Sequence, residues 1–188
     1  MTKLKYNINN LSKAISDLSD YQKKIRDKTK ILMSKLAELG VENMKIGFSR
    51  AIYDGVNDTV VNTPTWQGDK LIISASGSSI LFIEFGAGIH YAADSHPMAS
   101  KFGYVRGGYG YGLGKRDSWR YKGDPGTNGV VVQDGKHKGE VITHGNPANR
   151  VVYDTSKLMR AKILKMAMEV FKEWLILKMN FFQWLKVN

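Results

Sequence analysis

Cysteine is missing from all 188 residues, which excludes disulfides and thiolate metal sites and means that the fold needs no oxidising compartment. No apolar run approaches the roughly 20 residues that cross a bilayer. Nor does an apolar stretch follow the charges of Met1-Thr2-Lys3-Leu4-Lys5-Tyr6, as a signal peptide would require. These gaps predict a soluble chain, intracellular when made. The short motifs of common enzymes are absent too. No Gly-x-Gly-x-x-Gly precedes a helix, and there is no phosphate-cradling Gly-x-x-x-x-Gly-Lys-Ser/Thr, no Gly-x-Ser-x-Gly elbow and no His-Glu-x-x-His. With no pattern in favour of catalysis, the expectation is a protein that is not an enzyme and takes no cofactor.

Acidic residues are few: 17 Asp/Glu stand against 28 Lys/Arg, for a net charge of +11. Residues 1–40 and 150–188 each carry +5, and residues 86–129 carry +3. The excess therefore sits on two helical regions and one loop. Such a balance suits a protein that meets nucleic acid or acidic protein surfaces, though lysine-rich solvated helix faces also serve solubility.

Length and pattern predict one α+β domain over residues 1–188, with an antiparallel sheet and helices packed on it. Residues 8–39 form a long helix, because Ile8, Leu11, Ile15, Leu18, Ile25, Leu32, Leu36 and Leu39 recur at alternating spacings of three and four. Gln22 and Thr29 weaken that stripe, which favours a helix laid on a sheet or a neighbouring protomer over an isolated coiled coil. Gly40 is read as its stop, with a further helical turn or two between Val41 and Ala51. Strands are expected at Thr59–Asn62, Lys70–Ala75 and Ser79–Phe85, the last two joined as a hairpin through Ser76-Gly77-Ser78. Val130–Val132 and Glu140–Thr143 form a second hairpin. Asp154 or Thr155 caps a final helix over 155–177, and 178–188 is an aromatic tail. That tail is short and lacks a distinct polar face, so no membrane binding is expected.

Eleven of the 19 glycines fall between Gly86 and Gly129, in a segment with neither helical nor alternating period. A loop so long within a compact domain is usually functional, and the expectation is a mobile arm over 86–129. It interleaves aromatic and basic side chains, among them Arg106, Tyr109, Tyr111, Lys115, Arg116, Trp119, Arg120, Tyr121 and Lys122. These types build protein interfaces and also hold nucleic acid by stacking and phosphate contact, so they are candidates for an interface or a channel lining. Trp174, Phe181, Phe182 and Trp184 are candidates for docking at the C-terminal end, since aromatics so placed usually cover something.

The four histidines raise metal chemistry. On a strand, His90, Asp94 and His96 would share one side, and a hydrolytic zinc needs about three such ligands. Their spacing matches no known metal motif, and His144-Gly145-Asn146-Pro147-Ala148-Asn149 lacks the partner ligands of a His-Asn-His nuclease. No metal site is assigned on sequence.

Three pieces in order carry a family resemblance: Ile83-Glu84-Phe85-Gly86-Ala87-Gly88, then the Gly/Trp/Tyr-rich insertion with Trp119-Arg120-Tyr121, then Gly145-Asn146-Pro147-Ala148-Asn149-Arg150 before the last helix. The chain resembles the head–tail joining, or tail-completion, proteins of long-tailed phages and prophages, often labelled minor capsid or neck proteins. A "(V/I)EFG(T/A)G" strand end and a "G.PA.." segment before the last helix recur in them. The long first helix with Gly40-Val41-Glu42 and Ala51-Ile52-Tyr53-Asp54-Gly55 is also similar to members from phages of Gram-positive hosts. The departure lies at Asn149, where members often carry an arginine or a bulky residue. The resemblance implies a structural virion protein of the head–tail junction, made in the host cytoplasm. It implies a ring, most simply a hexamer, between head connector or stopper proteins and a tail terminator or tail-tube protein, in reach of packaged DNA and away from any membrane. A ring closes through head-to-tail interfaces, for which the Gly-rich arm and the aromatic end are the candidates. The alternative is a basic nucleic-acid-binding protein, with metal-dependent nuclease chemistry at His90, Asp94, His96 or His144.

Overall fold

A computed structural model describes residues 8–91, 96–104 and 115–187, the side chains of 8–10 and 173–187 aside. The chain has an α+β fold. In order it comprises α1 (Ile8–Ser49), β1 (Val60–Val61), β2 (Thr65–Gln67), β3 (Lys70–Ile72), β4 (Ala75–Ser76), α2 (Ile80–Phe85), a short 3-10 turn (Ser100–Phe102), β5 (Trp119–Tyr121), β6 (Val130–Val131), β7 (Val141–Thr143) and α3 (Val151–Val187). Among the described residues three small antiparallel sheets form: β1 with β4, β2 with β3, and β5-β7-β6. Two compact units result, residues 1–36 with 162–188 and residues 37–161.

The first unit holds the N-terminal turns of α1 and the C-terminal turns of α3, where the Lys28 ammonium donates to the Val170 carbonyl at 2.9 Å. Here the predicted stripe is largely open: Leu11, Ile15 and Leu18 are 61%, 60% and 63% exposed.

The second unit contains the core. Met44, Phe48, Ile83 and Val151 are buried together, with Ala51, Tyr53, Val61, Ile73 and Ala75 packed around them. Helix α1 does not stop at Gly40; it runs on to Ser49. The reason is close approach. A Cβ at Gly40 would stand 2.7 Å from Ile73 Cδ1 and 2.9 Å from Met159 Sδ, and one at Gly47 would stand 2.5 Å from Val151 Cγ1. Both glycines leave room for neighbours instead of ending the helix.

Residues 80–85 form a helix, not the expected strand, and 76–78 is no hairpin loop. Asp58 accounts for the change. Its Oδ1 accepts from the Ser79 N–H (2.9 Å) and hydroxyl (2.6 Å), and its Oδ2 from those of Ser78 (2.8 and 2.7 Å), which turns the chain out of β4 into α2. Lys70–Ala75 is correspondingly broken into β3, which pairs back to β2, and β4, which pairs with β1. The expected pairing of 130–132 with 140–143 is present as β6–β7, with Val130 opposite Ile142.

Helix α3 begins at Val151, ahead of the predicted caps Asp154 and Thr155, and continues past Leu177 through 178–187 to Val187. The stretch 86–129 is not one irregular arm, for it contains the 3-10 turn and β5. Its end lies on its own unit: the Thr127 N–H donates to the Tyr53 carbonyl at 2.9 Å, and the Tyr53 N–H to the Thr127 hydroxyl at 2.8 Å. Among the described residues no helix is long and apolar enough to cross a membrane.

Candidate functional site

The two glycine motifs, some 60 residues apart in sequence, meet at the start of α3. Ala87 and Asn146 exchange backbone hydrogen bonds at 3.0 and 3.1 Å. The Asn149 N–H donates to the Ile83 carbonyl at 2.9 Å and the Arg150 N–H to the Glu84 carbonyl at 3.2 Å. Side-chain amides reinforce the seam, Asn146 Nδ2 donating to the Phe82 carbonyl (2.8 Å) and Asn149 Nδ2 to the Ile83 carbonyl (3.1 Å). Gly86 (φ +79°) and Gly145 (φ +80°) must be glycine here. A Cβ at Gly86 would lie 2.8 Å from the Ala148 nitrogen, and one at Gly145 would overlap the Ala87 carbonyl.

At the centre is Glu84, 5% exposed. Its carboxylate accepts the N–H of Val152 at 2.8 Å and of Tyr153 at 2.9 Å, so it serves α3 as a remote N-terminal cap. The buried His96 ring stands at 3.1 Å from Glu84 Oε1 through Nε2, while its Nδ1 lies 3.0 Å from the Met98 N–H. A backbone N–H can only donate, so Nδ1 is the acceptor and the proton sits on Nε2, pointing at Glu84. Phe85 stacks on Tyr104 with centroids 3.9 Å apart and touches His96 at 4.4 Å. Beside this cluster lies a groove of about 590 Å³, with Lys101, Lys157 and Arg160 among its lining side chains. Sequence reasoning placed Glu84 in a motif but missed its pairing with His96 and its capping of α3, since nothing local marks an acceptor that acts 68 residues away.

The basic and aromatic candidates divide. Arg106, Tyr109 and Tyr111 lie outside the described residues. Lys115 and Arg116 are exposed. Trp119, Arg120 and Tyr121 are strand residues of β5, paired to β7, and not loop residues as expected. Trp119 is half-buried, its ring edge facing Gly88 and Gly145. The Tyr121 hydroxyl donates to the Asp124 carbonyl at 2.5 Å, and burial raises its pKa above that of an ordinary tyrosine. Arg120 and Lys122 are exposed, Arg120 reaching Glu140 at 3.6 Å. Trp174, Phe181, Phe182 and Trp184 belong to α3 by backbone, and their side chains lie outside the described residues.

His90 and His96 do not share a site. His96 is buried on Glu84, whereas His90 Nδ1 lies 3.1 Å from Asp117 Oδ1. His144 Nδ1 lies 3.4 Å from Asp117 Oδ2 and 3.0 Å from that residue's carbonyl. Asp117 has its pKa lowered, first by the hydrogen bond with His90. Asp94 lies outside the described residues.

The chain matches no family model, no curated protein and no solved structure.

Proposed function

We propose that this chain is a structural subunit of the head–tail junction of a long-tailed phage or prophage, acting as a ring between head connector or stopper proteins and the tail terminator or tail tube. The observation that carries an assembly role is the open apolar stripe of α1, where Leu11, Ile15 and Leu18 expose about three-fifths of their surface on one face. Spaced four and three apart, they form a continuous ridge of the kind that another subunit covers. The phage assignment rests on the two glycine motifs. Their seam supports an architectural reading, because its polar groups are engaged with one another: Glu84 caps a helix, and Asn146 and Asn149 tie backbone to backbone. In this reading the protein works in the virion neck after assembly in the host cytoplasm, without a chemical step.

A second reading, nucleic-acid binding, is favoured by the exposed Lys115, Arg116, Arg120 and Lys122 near Trp119 and Tyr121 in the sequence, since cations contact phosphates and aromatic rings stack on bases. Electron microscopy of the purified protein separates the two. Closed rings, hexameric by expectation, support the first. A protein that stays monomeric at high concentration, alone and with tail proteins, yet shifts with DNA in a salt-sensitive way, supports the second and sinks the first.

A further inference from the structure

We propose that His90, Asp117 and His144 form a binding site for one divalent transition-metal ion of the zinc class. One ligand atom from each lies within 4.8 Å of those from the other two. Ligand atoms around a tetrahedral zinc stand about 3.3–3.5 Å apart. His90 Nδ1 stands 3.1 Å from one oxygen of the Asp117 carboxylate and His144 Nδ1 3.4 Å from the other, so the carboxylate already lies between the two imidazoles at near-ligand separations. Both histidines turn Nδ1 to the same carboxylate, and their rings stand 4.6 Å apart.

The backbone holds this convergence in place. His90 follows the Ala87–Asn146 bridge by three residues, and His144 precedes it by two. Asp117 lies two residues before Trp119, whose ring edge packs where a Cβ of Gly88 or Gly145 would stand, 3.1 Å away in each case. Three segments distant in sequence are thus fixed at one crossing, and each supplies one ligand. Such a set is pre-organised and does not have to be gathered by the ion.

The donors choose the ion. Two imidazoles and one carboxylate suit Zn²⁺, Co²⁺ or Ni²⁺, whereas Mg²⁺ and Ca²⁺ take oxygen ligands. The side chains of His90, His144 and Asp117 are 45%, 48% and 67% exposed. An ion would reach them directly and keep an open position for water or for a side chain of a neighbouring molecule.

The test uses the full chain without a polyhistidine tag, stripped with chelator, then titrated with Zn²⁺ by calorimetry and with Co²⁺ by visible absorption at neutral pH. One ion per chain is expected, with cobalt bands of a low-symmetry site and a raised melting temperature. His90→Ala and His144→Ala each remove a ligand and should weaken Zn²⁺ binding by at least the roughly 10–100-fold that loss of an outer-shell partner costs, with circular dichroism unchanged. His137→Ala, which alters a histidine paired to Glu140 outside the triad, should leave it as it was. The proposal is overturned if no equivalent of Zn²⁺ binds, if the His90→Ala, His144→Ala double variant binds as the parent does, or if Mg²⁺ competes equally.

Discussion

Glu84 shows how one side chain can govern an element far from it in sequence. Its carboxylate, itself buried, accepts two part-buried N–H groups of the first turn of α3 and faces the His96 Nε2 proton. Removing it leaves those donors and the buried His96 proton without their acceptor. We expect Glu84→Ala to cost roughly 2–4 kcal/mol, because charged hydrogen bonds and unsatisfied buried donors each count for more than an ordinary bond. Glu84→Gln keeps one oxygen and loses about one acceptor, so its cost should be roughly 1–2 kcal/mol. Urea unfolding measures both, and a Glu84→Ala protein within 0.5 kcal/mol of the parent, the scatter of ordinary surface changes, would refute the capping role. Asp58 gives a pH dependence of defined sign. Hydrogen bonds from Ser79 and Ser78 hold its pKa well below the usual carboxylate range. A group depressed in the folded state stabilises it above the unfolded pKa, about 4, and that contribution is lost as pH falls below it. The gap in melting temperature between parent and Asp58→Asn should therefore be full at pH 6 and shrink below pH 4. A gap that widens on acidification would contradict the assignment.

At the scale of elements, the sequence revealed what is periodic and hid what is decided at a distance. Helix α1 was legible because its side-chain spacing is the structure's own repeat, and the β6–β7 pairing because β-branched pieces flank a turn-forming Asp134-Gly135. Ile80-Leu81-Phe82-Ile83-Glu84-Phe85 was not. A six-residue run with five apolar side chains suits strand and helix alike, and the choice is made by Asp58 in front of it and by Gly86 (φ +79°) behind it. The start of α3 was misread for the same reason, since its acceptor comes from Glu84 and not from the neighbouring Asp154. Gly40 was misread as a stop when its missing side chain makes room for Ile73 and Met159. Gly47 tests that last point most sharply. Alanine there gains about 1 kcal/mol of helix propensity, but its Cβ would lie 2.5 Å from Val151 Cγ1, a stiff β-branched side chain in the buried core. Overpacking typically costs 1–3 kcal/mol, so Gly47→Ala should be neutral to destabilising by about 2 kcal/mol on balance. A thermal melt that shows Gly47→Ala more stable than the parent would mean that α1 does not pack there as described.

For the whole molecule, the question is why a chain able to bury Met44, Phe48, Ile83 and Val151 leaves Leu11, Ile15 and Leu18 open on the same long helix. Single exposed apolar residues are ordinary, but three in helical register make a face. The stripe itself could be read in the sequence, while its exposure could not, because spacing shows which residues share a face and not what covers it. If a second copy covers the face, polar substitution should abolish assembly and spare the fold. We expect Leu11→Gln, Ile15→Gln and Leu18→Gln together to convert a ring to monomer by electron microscopy and light scattering. Glutamine matches leucine closely in helix propensity, so α1 itself is not put at risk. The melting temperature of the monomeric variant should stay near that of parent protein diluted to monomer, since most of each replaced side chain already met solvent. Persistence of the parent's oligomer in the triple variant would remove α1 from the interface, whereas loss of cooperative melting would show that the stripe serves the chain's own fold.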